Sequence, residues 1–273
     1  VQAPKAIDIK EIIRSKNPKL LRFLPGFVIR YLRKTLREKE LNAFIQAHGE
    51  LSGLEFCEAA TNYFHFKFEI KDIDRIPKTG PIIIAMNHPL GGVDAVAFIV
   101  ALKNHRQDIK FIVNDILMNI ENLNTYFIGI NKHGSNGIST RERIKQAFHE
   151  DHALCIFPSG IVSRVHEGII QDFEWKKTFM TYGRELNRPI VPIHISGQLS
   201  PFFYRLYKLR VFLGIKANVE MFYLADEMLN QKNKIITYTV GEPIMGKDIA
   251  PEMNDSKAAS WFKTIVYQLK TTK

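Results

Sequence analysis

The chain has 273 residues, 45% of them hydrophobic and 24% charged, which fits one large globular domain, or one domain with a small extension, around a sizeable core. Its two cysteines, Cys57 and Cys155, lie far apart among apolar or aromatic neighbours. That excludes a disulfide framework and reads as buried thiols in a reducing compartment. The net charge of +10 asks for an anionic partner: nucleic acid, an acidic lipid surface or a phosphorylated substrate.

The excess sits at one end. Residues 1–48 hold eleven Lys or Arg against four acids. The opening VQAPKAIDIKEIIRSK lacks the apolar region of a signal peptide. No uncharged stretch reaches the ~20 residues that span a bilayer, so a soluble or peripheral protein is expected. In KLLRFLPGFVIRYLRKTL (19–36), Leu20, Leu24, Phe27 and Tyr31 recur at i, i+4, i+7 and i+11, while Arg22, Arg30, Arg33, Lys34 and Arg37 take much of the rest. Pro25-Gly26 predicts a kink or a division into two short helices. Such a segment either packs on the core or lies in the headgroup region of a membrane.

Beyond residue 60 strands alternate with helices. Strands are expected at 63–70, 81–86, 110–113, 126–130, 153–157, 190–195, 219–224 and 234–240. Helices are expected at 94–104, 139–150 and 256–269. This alternation predicts an α/β domain (61–273) with a largely parallel central sheet flanked by helices, preceded by basic amphipathic helices (1–60).

In such sheets ligands bind where strands end and loops lead into helices. Three stretches fall there: NHPLGGVD (87–94), INKHGSNG (130–137) and FPSGIVSR (157–164). A histidine that takes a proton from an alcohol needs a carboxylate on its other ring nitrogen, to set the tautomer and stabilise the imidazolium. Gly91-Gly92 let His88 and Asp94 fold together for that purpose, or Asp94 simply caps a helix beside a loop histidine. FPSGIVSR offers Ser159 and Gly160 for close backbone approach and Ser163 and Arg164 as donors to an anion, or is an ordinary turn. Lys132 is a second phosphate contact or a solvated lysine.

Together these residues resemble the glycerolipid acyltransferases, the group that includes 1-acylglycerol-3-phosphate acyltransferase. NHPLGGVD is similar to their Asn-His…Asp block, YFIGINK (126–132) to the block ending in a basic residue, FPSGIVSR to Phe-Pro-x-Gly, and VPIHISG (191–197) to a Val-Pro block. Order and spacing agree over roughly residues 80–245. The likeness is closest to a hemolysin-labelled bacterial subgroup that includes acyltransferases making ornithine- or glycine-type lipids, which also carry segments like FEWKKTF (173–179) and GQLSPFFYRL (197–206).

Four positions depart from the pattern. His88 and Asp94 are separated by five residues instead of four. Ser159 stands where phosphatidic-acid-forming members commonly carry glutamate, Ile161 replaces the residue after the glycine, and Lys132 stands where arginine is usual.

The resemblance implies an O-acyltransferase in membrane lipid synthesis, a transferase that works without metal or bound cofactor. His88, held by Asp94, deprotonates the hydroxyl of a lysolipid acceptor. That acceptor is lysophosphatidic acid or a lyso-amino-acid lipid. The oxygen then attacks an acyl-ACP or acyl-CoA thioester, and N–H groups near Gly160 hold the oxyanion. Asn87, Lys132, Phe157, Pro158, Ser159, Gly160, Ser163 and Arg164 are the implied substrate-binding residues, with Arg164 and Lys132 on the acceptor's anion. The implied partners are an anionic membrane surface, acyl carrier protein or a CoA thioester, and the lysolipid; the location is the cytoplasmic face of a bacterial membrane.

Rival readings fare worse. No Gly-x-Ser-x-Gly elbow marks a serine hydrolase. His149-Glu150-Asp151-His152 lacks a third zinc ligand at normal spacing. The basic N-terminal segment carries no nucleic-acid-binding motif. An inactive lipid-binding module of the same fold is the remaining alternative.

Overall fold

The computed structural model describes residues 7–16, 22, 24–113, 117–129 and 140–271. Among the described residues, α1 (Ile9–Lys16), α2 (Gly26–Thr35), α3 (Glu38–His48) and α4 (Gly53–Tyr63) precede the sheet. α2 starts where the proline predicts a break. Pro25 precedes its first residue and offers its carbonyl to the N–H groups of Val28 and Ile29, since proline fits the start of a helix and not its interior. Residues 19–21 and 23 of that predicted helix lie outside the described residues, as does the INKHGSNG stretch with Lys132.

The strands that follow are β1 (Lys67–Lys71), β2 (Ile82–Met86), β3 (Ile109–Val113), β4 (Phe127–Gly129), β5 (Ala153–Ile156), β6 (Arg164–His166), β7 (Ile169–Gln171), β8 (Pro189–Ile195), β9 (Ile235–Val240) and β10 (Ile244–Met245). The main sheet has the order β1-β9-β8-β2-β5-β3-β4, with β10 paired to β8. Every neighbouring pair along that path is parallel except β8–β9. The mixed α/β class and largely parallel sheet therefore stand, with β6 and β7 forming a separate antiparallel pair.

β2 is the centre. All five of its residues are buried, as expected of a strand covered on both faces. Alternation then sorts them: Ile82, Ile84 and Met86 face one core, Ile83 and Ala85 the other. α4 and α5 (Gly92–Ala101) contribute to the first core. On the opposite face lie α6 (Thr140–His149), α7 (Thr178–Glu185) and α10 (Asp255–Gln268). α8 (Pro201–Phe212) and α9 (Leu224–Leu229) lie between β8 and β9 in the chain. Cys57 and Cys155 are both fully buried and unpaired.

Two expectations fail. The strand expected from Tyr63 starts only at Lys67: Tyr63 ends α4, His65 takes a left-handed turn, and Phe64 packs on Phe44 at 5.1 Å. The strand expected at 219–224 is instead a 3-10 segment, Val219–Tyr223, running into α9. Glu220 and Glu227 are its buried residues, seven apart, a helical repeat that outweighs a short apolar alternation.

The N-terminal helices are tied in. Phe44, Phe56 and Cys57 belong to the first core. Arg37 pairs with Asp226, and the Tyr31 and Tyr223 hydroxyls meet in a hydrogen bond.

Candidate active site

β2, β5 and β8 run parallel, so their carboxyl ends emerge at one edge of the sheet. Asn87 lies just past β2 and clamps that edge. Its amide nitrogen donates to the Ile195 carbonyl at 2.9 Å, and its oxygen accepts the Ile195 N–H at 2.6 Å. With both ends engaged and the residue buried, Asn87 joins β2 to β8 and has no amide group turned to a ligand. Gly197, from the VPIHISG block, supports the same loop: a Cβ there would come within 3.1 Å of the Leu90 side chain.

His88 and Asp94 meet. His88 Nδ1 is 2.9 Å from Asp94 Oδ2, which also accepts the N–H groups of Leu90 (2.9 Å) and Gly91 (3.1 Å). The residue beyond the usual spacing is accommodated at Gly91, whose φ of 83° and ψ of −136° just before α5 suit only glycine. The Tyr238 hydroxyl donates to the Asp94 carbonyl at 3.0 Å and fixes the first turn from below.

Asp94 is 0% exposed, and its Oδ1 has no partner among the described residues. Burial raises its pKa above the ordinary carboxylate range, and the His88 bond and the two N–H groups partly offset that rise. A carboxylate on Nδ1 selects the Nδ1–H tautomer and leaves the lone pair on Nε2. The His88 side chain is 17% exposed, so this inner pair keeps an outlet to solvent.

The end of β5 covers the imidazole. Phe157 stacks on His88 with ring centres 4.0 Å apart and 17° between planes, and on Phe111 behind it. Pro158 is buried and accepts the Lys176 N–H. Gly160 has φ +71°, and its own N–H is spent on the Phe157 carbonyl at 2.9 Å. The N–H groups of Ile161 and Val162 make no backbone bond among the described residues. Lys176 extends over this turn: its Nζ would be 3.1 Å from a Cβ at Gly160.

The polar side chains of FPSGIVSR turn inward. Ser159 donates to the Ile161 carbonyl at 2.8 Å, a bond inside its own turn. Ser163 gives its N–H to the His88 carbonyl (2.8 Å) and its hydroxyl to Asp172 (2.6 Å). Arg164 is the clearest correction to the expected anion contact. Only 1% exposed, it pairs with fully buried Glu220 at 3.0 Å, donates to the Val162 carbonyl at 2.7 Å and lies over Phe203. Arg210 holds the other Glu220 oxygen at 2.8 Å. A guanidinium so engaged is a strut between β6, α8 and the 219–223 segment, and has no donor free for substrate.

Asp172 escaped the sequence reading. It is buried, accepts the His88 N–H at 3.2 Å and the Ser163 hydroxyl, and binds the Trp175 indole N–H at 2.9 Å. Its backbone carbonyl takes the Lys263 ammonium and its N–H donates to Tyr267. No local pattern marks it, because His88, Lys263 and Tyr267 reach it from 84 to 95 residues away in the chain. Only its neighbour Trp175, within FEWKKTF, hinted at that region.

The fold and site thus describe an α/β protein with an imidazole held by a buried carboxylate at the carboxyl edge of its sheet. A model of the acyltransferase family matches residues 11–272. Lyso-glycine lipid O-acyltransferases of Bacteroides thetaiotaomicron and Phocaeicola vulgatus are each 38% identical over 264 residues, 96% of this chain and 97% and 95% of theirs. The crystal structure of the 1-acyl-sn-glycerophosphate (LPA) acyltransferase PlsC from Thermotoga maritima aligns at 18% identity and a TM-score of 0.47, over 96% of this chain and 92% of that one. The chain belongs to the acyltransferase family.

Proposed function

We propose that the protein is a lyso-glycine lipid O-acyltransferase, moving a fatty acyl group from an acyl-ACP or acyl-CoA thioester to a hydroxyl of the lysolipid. The observation that carries the chemistry is the 2.9 Å His88–Asp94 contact on an imidazole whose side chain is still 17% exposed. The acceptor is suggested by the name shared by two relatives that match nearly end to end.

His88 Nε2 accepts the acceptor's hydroxyl proton as that oxygen bonds to the thioester carbonyl carbon. Asp94 stabilises the imidazolium, a role that suits a buried carboxylate already held by two N–H groups. The oxyanion is met by backbone N–H groups of Ile161 and Val162, in place of the Gly160 N–H used within the turn. Collapse of the intermediate breaks the carbon–sulfur bond, and His88 returns the proton to the departing thiolate. No acyl-enzyme forms.

With Arg164 committed to Glu220, the acceptor's anion falls to Lys176, whose ammonium overhangs Gly160, and to Lys132. The site opens on a membrane face. α2 exposes Phe27 and Tyr31 beside Arg30 and Lys34, a pairing of apolar and basic groups that suits an anionic leaflet. No helix among the described residues is long and apolar enough to cross a membrane, and the protein acts from the cytoplasmic side as a peripheral enzyme.

Lipid extracts from cells expressing the protein, analysed by mass spectrometry, test the reading. A diacyl glycine lipid should accumulate with the wild type and vanish with His88→Ala. Its persistence in the variant, or accumulation of phosphatidic acid instead, refutes the assignment.

A further inference from the structure

The run FFYRLYKLRVF (202–212) is apolar on both sides of α8, and only one side is covered. Phe203 and Tyr204 are buried beneath Arg164 and Leu199. Phe202 is 50% exposed, Leu209 and Leu213 are exposed at i+7 and i+11 from it, and Phe212 is 85% exposed beside them. Those two spacings put Phe202, Leu209 and Leu213 on one helical stripe. Ile215 continues it past the Gly214 turn. Residues 200–219 contain no acid, while Arg205, Lys208 and Lys216 are all exposed.

This stripe is continuous with α2. Phe202 packs edge-on against Tyr223 at 4.9 Å, and Tyr223 meets Tyr31 of α2, next to Phe27 at 70% exposure. Phe222 is exposed in the same segment. Two residues on, Leu224 lies against Gly91, the turn that holds Asp94. The Arg164–Glu220–Arg210 cluster fixes α8 and residues 219–223 to each other and to the loop behind His88. An exposed apolar patch of this extent marks an interaction surface, and the cations of residues 200–219, a run without an acid, complement an anionic bilayer.

We propose that residues 202–216 form a second membrane-inserting element, with Phe212 and Leu213 as its tip, which acts with α2 to seat the site against an anionic bilayer. This rests on the reading of the protein as a lysolipid acyltransferase, whose acceptor would reach His88 along this face.

The test uses the full-length protein and phosphatidylcholine vesicles with and without phosphatidylglycerol. Wild type should sediment with the anionic vesicles. The double variant Phe212→Ser/Leu213→Ser alters only exposed side chains and should partition about tenfold or more weakly, the expected loss for two apolar groups removed from hydrocarbon. A Phe212→Trp variant should be quenched by lipids brominated in the acyl chain. Unchanged partitioning of the double variant, or no quenching, overturns the inference. So does a variant that keeps vesicle binding but no longer saturates with acyl carrier protein, which would give the surface to that carrier. Turnover of lysolipid on the same vesicles separates the two levels: equal transfer by wild type and the double variant sinks this inference alone, and absence of transfer by the wild type sinks the acyltransferase reading beneath it.

Discussion

The loops that follow β2 and β5 stand side by side at the same sheet edge, yet their polar residues have opposite duties. In NHPLGGVD, His88 keeps part of its side chain exposed while Asp94 is buried behind it. In FPSGIVSR, Ser159, Ser163 and Arg164 all turn inward, to a carbonyl, a carboxylate hub and a buried glutamate. What the second loop offers to solvent is Gly160, beside the neighbouring Lys176. A polar side chain in a signature block is thus as apt to build the loop as to face the ligand, and only its partners tell which.

That contrast can be broken by substitution. The largest stability effect is expected at Arg164→Met, which leaves fully buried Glu220 with Arg210 as its remaining cation; denaturant unfolding should register a loss of about 3 kcal/mol. Were Arg164 an acceptor contact, KM would rise with stability unchanged.

Asp94→Asn should act the other way round. Turnover should fall on the order of 10²-fold or more, because the amide no longer stabilises the imidazolium, while stability near neutral pH is kept or raised. The sign follows from burial, which raises the Asp94 pKa. Below the ordinary carboxylate range both folded and unfolded chains hold the proton and no penalty exists. As pH climbs through the raised folded pKa the native state must give it up late, and stability is lost. Wild type should therefore lose stability relative to Asp94→Asn over that acidic interval and level off above it. Equal pH dependence of the two unfolding curves would contradict the buried charge.

Smaller effects belong to the serines. Ser163→Ala removes a hydrogen bond to the Asp172 carboxylate and should cost about 2 kcal/mol, with a modest fall in turnover as the His88 backbone loosens. Ser159→Ala loses one bond within a turn, about 0.5 kcal/mol, and KM for the lysolipid should not move. A KM increase of several-fold at Ser159 would return that residue to the binding site.

How much of this was legible beforehand follows the range of each interaction. β2, α5 and the meeting of His88 with Asp94 rest on patterns within a dozen residues, and the two glycines signalled the turn that joins them. The segment at 219–229 reads as a strand because VEMFYL satisfies a strand alternation, while its two inward glutamates declare themselves only once Arg164 is opposite Glu220 and Ser200 opposite Glu227. Arg164 was misassigned for the same reason: Glu220 lies 56 residues away in the chain. Asp172 was invisible because His88 and Tyr267, 84 and 95 residues away, reach it only in the fold.

The direct test of the account is the rate at which purified, folded His88→Ala transfers an acyl group from a thioester to lyso-glycine lipid in vesicles. Loss of an imidazole that moves the hydroxyl proton should cut turnover by about 10²–10⁴-fold, with unfolding unchanged within about 1 kcal/mol. A folded variant that retains turnover within a few-fold of wild type would contradict the assignment of the proton transfer to His88.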